Sequence, residues 1–206
     1  SVGFSSPFYT GDNLIEVALE NEEESNRWYP GGGIYRPVTL ITHANKSRLD
    51  LWGLQMQTLS IDGGSALIDI RHESKDIPAD AMLKVTVTDK GGKVVANASS
   101  PADGMGGFHT QLNIANPQLW SPETPYLYDV KLSLVADGKT LDVQHQKLGV
   151  RTVKFSAEGG FQLNGMTRKI KGVCLHHDLG PLGAAVNKAA IIRHPQFAVA
   201  VSHLRV

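Results

Sequence analysis

Two histidines and an aspartate stand side by side at His176-His177-Asp178. A neutral imidazole both donates and accepts hydrogen bonds, so His176 can hold a hydroxyl-bearing ligand. Asp178 can orient an imidazole from behind, as carboxylates commonly do for histidines. A shared metal ion suits the three poorly, because neighbouring side chains on an extended chain point to opposite sides. On residue types alone, an unpartnered histidine pair reads more simply as polar loop. The triple glycine Gly31-Gly32-Gly33 permits positive φ and close backbone approach. It lacks the strand-loop-helix setting and the Lys-Ser/Thr of a phosphate cradle, so it predicts no nucleotide site. Arg36 suits a buried or interfacial ion pair, which its planar fork favours. The lone cysteine, Cys174, excludes an internal disulfide and a cysteine-based zinc site, and reads as inert packing. No Gly-x-Ser-x-Gly elbow supports a serine hydrolase.

Charge narrows the classes further. Lys plus Arg and Asp plus Glu each number 20 in 206 residues, so the formal net charge is zero. That excludes the basic excess of a nucleic-acid surface and an electrostatically held membrane protein. No apolar run approaches the roughly 20 residues of a spanning helix. The start, Ser1-Val2-Gly3-Phe4, shows no signal-peptide pattern. A soluble protein is expected, and cytoplasm and periplasm both remain open. With 41% hydrophobic residues, 19% charged residues and 21 glycines, the chain is globular and rich in turns.

The elements that must position these residues are mostly strands. Period-2 alternation, which puts every second side chain on a buried face, marks residues 13–20, 38–42, 66–71, 83–88, 108–114, 126–134 and 141–146. Residues 93–96 follow the polar turn Asp89-Lys90-Gly91-Gly92 and predict a hairpin. Strands recurring between Ala66 and Phe155 with Gly, Asp and Pro between them predict an antiparallel sandwich of roughly 100 residues. Helical composition enters only at 184–193, where Asn187 can cap and Pro195 must stop the element. Three blocks result: 1–55, strands with a glycine-rich turn; 56–154, the sandwich; and 155–206, of changed character.

Several motifs carry a family resemblance. Residues 26–38, NRWYPGGGIYRPV, resemble the sugar-binding domain of family 2 glycoside hydrolases, the β-galactosidase/β-glucuronidase type, and 51–53, LWG, resemble that domain's last strand. Residues 119–128, LWSPETPYLY, resemble the family's central sandwich, and 149–153, GVRTV, its exit strand. Residues 161–165, FQLNG, and 171–178, KGVCLHHD, resemble the entry to its (β/α)8 barrel. The motifs keep family order and spacing over most of 13–193, whereas the sequence from His194 onward departs from the pattern.

The resemblance implies a mainly β fold: an immunoglobulin-like β-sandwich over 56–154, preceded by the C-terminal part of a jelly-roll over 1–55 and followed by a truncated TIM-barrel start over 155–206. It implies a parent enzyme that hydrolyses terminal β-glycosidic bonds with retention, β-galactosides first. Such an enzyme uses two carboxyl groups about 5–5.5 Å apart, one as acid and one as nucleophile. In the family both are glutamates on later barrel strands, so this segment is expected to lack them, to be accessory and to be inactive by itself. His176 matches the family histidine that lines the sugar pocket, with Asp178 behind it. Trp28 and Tyr29 either stack on sugar rings or, the favoured reading, pack between domains. The segment needs no cofactor, while Mg or Na are cofactors that the resemblance allows the parent. Expected partners are a carbohydrate substrate and, as family habit allows, further copies of the chain. A stand-alone carbohydrate-binding module or an immunoglobulin-like structural module is the alternative.

Overall fold

A computed structural model describes residues 38–170, with positions 11, 12, 14, 16, 18, 183, 188 and 189. The strands lie within one compact unit that includes Leu40–Leu175; the other unit contributes few described positions. Seven strands build a sandwich: β1 Arg48–Asp62, β2 Ser65–Lys75, β3 Met82–Thr88, β4 Val94–Pro101, β5 Gly107–Ala115, β6 Tyr128–Ala136 and β7 Lys139–Leu148. One sheet has the order β1-β2-β5 and the other β4-β3-β6-β7, with every pairing antiparallel. Three short strands, β8 Val153–Ser156, β9 Gly160–Leu163 and β10 Met166–Thr167, form a separate sheet of order β10-β9-β8.

Alternation in the sequence becomes sidedness in the sheets. Ala66, Ile68, Ile70 and His72 on β2, Leu83, Val85 and Val87 on β3, and Val130, Leu132 and Leu134 on β6 are all buried between the sheets. Burying each large aliphatic chain contributes about 1.5–3 kcal/mol against leaving it in water. The core also carries one histidine. His72 Nε2 donates to Gln144 Oε1 on β7 at 3.0 Å, so its Nδ1 is left to accept the Ser74 hydroxyl at 3.1 Å. That pair of bonds satisfies a buried polar ring and ties one sheet to the other.

Turns follow from residues that tolerate positive φ. Gly63 and Gly64 (φ 54° and 77°) close the β1–β2 hairpin, and Asp137 and Gly138 (φ 47° and 68°) close β6–β7. Two consecutive positive φ values match the right-handed twist of the flanking strands. The predicted β3–β4 turn forms as well, with Asp89 Oδ1 accepting the amides of Gly91 at 2.8 Å and Lys93 at 2.9 Å. At the start of β6 the Tyr128 hydroxyl accepts the Gln118 amide at 2.8 Å, pinning the crossover ahead of that strand as in a tyrosine corner.

Some expectations change. Residues 38–42 are alternating in sequence yet form no strand, and Val38 and Leu40 are 81% and 66% exposed. Alternation gives a strand only where a neighbouring strand takes up the backbone bonds, and no described strand pairs there. Residues 149–152 are likewise outside any strand; Val150 instead accepts the Trp120 amide at 2.9 Å. β1 runs unbroken through residue 55, where sequence alone places a block boundary. Residues 13–20 lie outside the described residues except at positions 14, 16 and 18, and the expected helix 184–193 except for Lys188 and Ala189, which are helical. Most of the jelly-roll and barrel stretches also lie outside the described residues. Among the described residues, no helix is long and apolar enough to cross a membrane.

Candidate functional site

The residues that sequence alone singled out for ligand contact, His176 with Asp178 and the aromatic pair Trp28 and Tyr29, lie outside the described residues, as do Arg36 and Cys174. The described chemistry gathers in two other places.

The first is a junction at one end of the sandwich. Trp120 is only 6% exposed, yet it stands apart from the core between the sheets. The Arg151 guanidinium lies 4.5 Å from its ring centroid, a cation–π distance. Gly149 permits this closeness, because a Cβ there would lie 3.1 Å from the indole ring. The Asn164 side chain donates to the Trp120 carbonyl at 3.0 Å and accepts the Thr152 amide at 3.0 Å. Asn164 itself sits at φ 50°, a left-handed conformation that asparagine adopts more readily than most residues. Arg168, just past β10, pairs with Glu123. That hydrogen bond is the main reason the Glu123 carboxyl is held down at about 2. Three motifs read separately in sequence (119–128, 149–153 and 161–165) are thus one joint between the sandwich and the β8–β10 sheet.

The second is the outer face of β1-β2-β5. Asp69 on β2 is directly opposite Gln57 of β1 and Gln111 of β5, while Arg71 is opposite Gln55 and His109. Directly paired residues share a face, so the register alone assembles a polar cluster. Asp69 Oδ1 accepts His109 Nε2 at 2.7 Å and Gln111 Nε2 at 2.8 Å, and Oδ2 accepts Arg71 Nε at 3.0 Å. The bonds from His109, then Gln111, then Arg71, outweigh the opposing effect of burial and hold the Asp69 carboxyl at about 2. Sequence reasoning missed this cluster. Its only sequence signal is polar residues on the off-beat of strands 66–71 and 108–114, and nothing local fixes the register that joins them.

Across the described residues, every carboxyl with a displaced pKa is displaced downward. Asp50 is lowered first by its bond from Lys75, and Asp103 by the amides of Met105 and Gly107, as Asp69 and Glu123 are by their donors. No group of three or more His, Cys, Asp or Glu side chains able to hold a metal ion occurs among the described residues.

The fold defines an antiparallel β-sandwich domain in which Asp69 and Glu123 accept side-chain hydrogen bonds. The sequence profile of glycosyl hydrolases family 2 matches residues 53–151. A β-galactosidase of Bacteroides ovatus is 37% identical over 192 residues, covering 89% of this chain and 22% of the relative. A β-glucuronidase of Bacteroides fragilis is 32% identical over 166 residues, covering 75% of this chain and 24% of the relative. The crystal structure of a β-glycosidase from Bacteroides vulgatus superposes with a TM-score of 0.68 at 31% identity, covering 80% of this chain and 21% of that one. The chain belongs to glycosyl hydrolase family 2. It spans between a fifth and a quarter of the length of these relatives.

Proposed function

We propose that this chain is the accessory sandwich portion of a retaining β-glycosidase, and that its described residues support bond cleavage without performing it. One observation carries the reading. A glycosidase general acid must hold its proton near neutral pH and therefore needs a raised pKa. Among the described residues the one buried carboxyl, Asp69, instead accepts from His109, Gln111 and Arg71 through both of its oxygens, which favours the ionised form and lowers its pKa.

In this reading the stretch before Arg48 closes a sugar-binding jelly-roll, β1 from Arg48 onward and the rest of the 56–154 block form the sandwich, and 155–206 lead into the catalytic barrel. His176 lines the sugar pocket of the parent and Asp178 orients it. The substrate is a terminal β-glycoside, with β-galactosides preferred on the barrel-entry wording KGVCLHHD at 171–178; the 37% identity to a protein named β-galactosidase and the 36% to one whose name includes β-glucuronidase support the β-glycoside class as a whole.

The test is hydrolysis of a chromogenic β-galactoside by the purified 206-residue chain, its mass confirmed intact. No turnover above buffer is expected, and reproducible turnover would sink the accessory reading. In the full-length parent, His176→Ala is expected to lower kcat/KM by about tenfold or more with the fold intact, the loss of one hydrogen bond to bound sugar. Unchanged kinetics would remove His176 from the pocket.

A further inference from the structure

The polar face of β1-β2-β5 is a groove of about 780 Å³ lined among others by Gln55, Gln57, Leu59, Asp69, Arg71 and Gln111. Its floor is rigid. Asp69 is 8% exposed, sits on the middle strand and has both carboxylate oxygens taken by Arg71, His109 and Gln111. These bonds fix the planes of three side chains that still have capacity to spare. Among the described residues no bond uses the Arg71 Nη atoms, the Gln111 Oε1 or the side-chain amides of Gln55 and Gln57. Arg71 and His109 remain 63% and 52% exposed at their side chains, so these groups face solvent.

We propose that this groove is a second, non-catalytic binding site for a neutral oligosaccharide. Charge selects the class of ligand. The Asp69 carboxylate is balanced by the Arg71 guanidinium and flanked by His109, so an anion meets the carboxylate and a cation meets the guanidinium. A neutral ligand carrying both donors and acceptors meets neither penalty. Vicinal hydroxyls have that character: the guanidinium fork donates to them, and each glutamine amide offers one donating and one accepting end. Residues 55–59 advance about 13 Å along β1, more than one sugar ring needs, and Leu59, 45% exposed, supplies an apolar contact at one end. Ordering of the binding groups in advance lowers the entropic cost of holding a flexible glycan. The site needs no catalytic carboxylate, so it goes beyond the proposed function and does not rest on it.

The test is titration of the full 206-residue chain with β-1,4-galactotetraose, read by NMR of the glutamine side-chain amides, with tetragalacturonate as the charged control. The expected result is a saturable shift of the Gln55, Gln57 and Gln111 amides by the neutral glycan below about 10 mM, the affinity range of a shallow polar site. Tetragalacturonate is expected to bind at least tenfold more weakly. Arg71→Ala and Gln57→Ala, both at exposed side chains, are each expected to weaken binding by about fivefold or more while leaving backbone spectra intact. Absence of a shift, equal binding of the charged control, unchanged binding by both variants, or self-association through this face that consumes the same amides would overturn the proposal. Binding is read without turnover, so an inactive chain leaves this test unaffected.

Discussion

Asp69 shows what a single carboxylate does in this sandwich. Its pKa falls from 3.8 to about 2 because His109, Gln111 and Arg71 donate to it. A lowered acid stabilises the fold above its unfolded value and loses that contribution as pH falls through its folded value. The window is therefore about pH 4 down to 2, and the shift corresponds to about 2 kcal/mol at most. Asp69→Asn is expected to be less stable than the parent sequence at pH 6 in urea denaturation, with the gap closing towards pH 2. A gap independent of pH would show that the carboxylate charge is not what the donors bind. At this scale the sequence was only partly legible. His176 and Asp178 were named through family resemblance and lie outside the described residues. The Asp69 cluster was invisible because its members are 40 and 42 residues apart and meet only through pairing register. The Trp120 joint was readable as motifs, but not as one contact set. Trp120 itself packs under Arg151, apart from the core between the sheets.

Elements were legible where hairpins close locally. Alternation with a polar turn located β3 and β4, because the turn residues enforce a near-neighbour pairing. β1 was read only as the short 51–53, although residues 55–62 also alternate. Its pairing with β2 slips between Leu49 and Leu54 and again between Thr58 and Ser60, and irregularities of this kind break a strict two-residue period. Gly53 sits inside the first slip. A Cβ there would lie 2.1 Å from the Glu73 carbonyl oxygen, a backbone atom that cannot swing aside. Gly53→Ala must push β1 from β2, and overpacking of this sort costs about 1–3 kcal/mol. A lowered urea midpoint with perturbed β1 and β2 amide resonances is expected. Unchanged resonances would mean that the strand edge yields freely. Asn164→Ala tests the other joint: it removes two side-chain bonds and puts alanine at φ 50°, so weakening by about 2 kcal/mol or more is expected. Asn164→Gly restores the backbone freedom alone and should recover only part of that loss.

Across the described unit, cooperativity follows from where the apolar residues lie. The core cluster draws on both sandwich sheets, from Ile68 and Ile70 on β2 to Leu132 and Leu134 on β6, and includes no residue of β8, β9 or β10. The small sheet is joined to the sandwich through Asn164 and the Arg168–Glu123 pair, with Leu163 buried apart from that cluster and Phe155 71% exposed. Surface ion pairs contribute little, so the small sheet should open without the sandwich opening. Leu132→Ala separates the two. Its side chain is fully buried, and its truncation costs about 2–5 kcal/mol from a total of only about 5–15. Under native-state hydrogen exchange, protection is expected to fall by the same amount in β2, β3, β5 and β6, because all four lose protection only through the global opening that the substitution favours. Amides of β9 are expected to keep their rate, since their smaller opening precedes that event. A matching loss of protection in β9 would instead make sandwich and small sheet one cooperative unit, with the Trp120 joint strong enough to transmit unfolding across it.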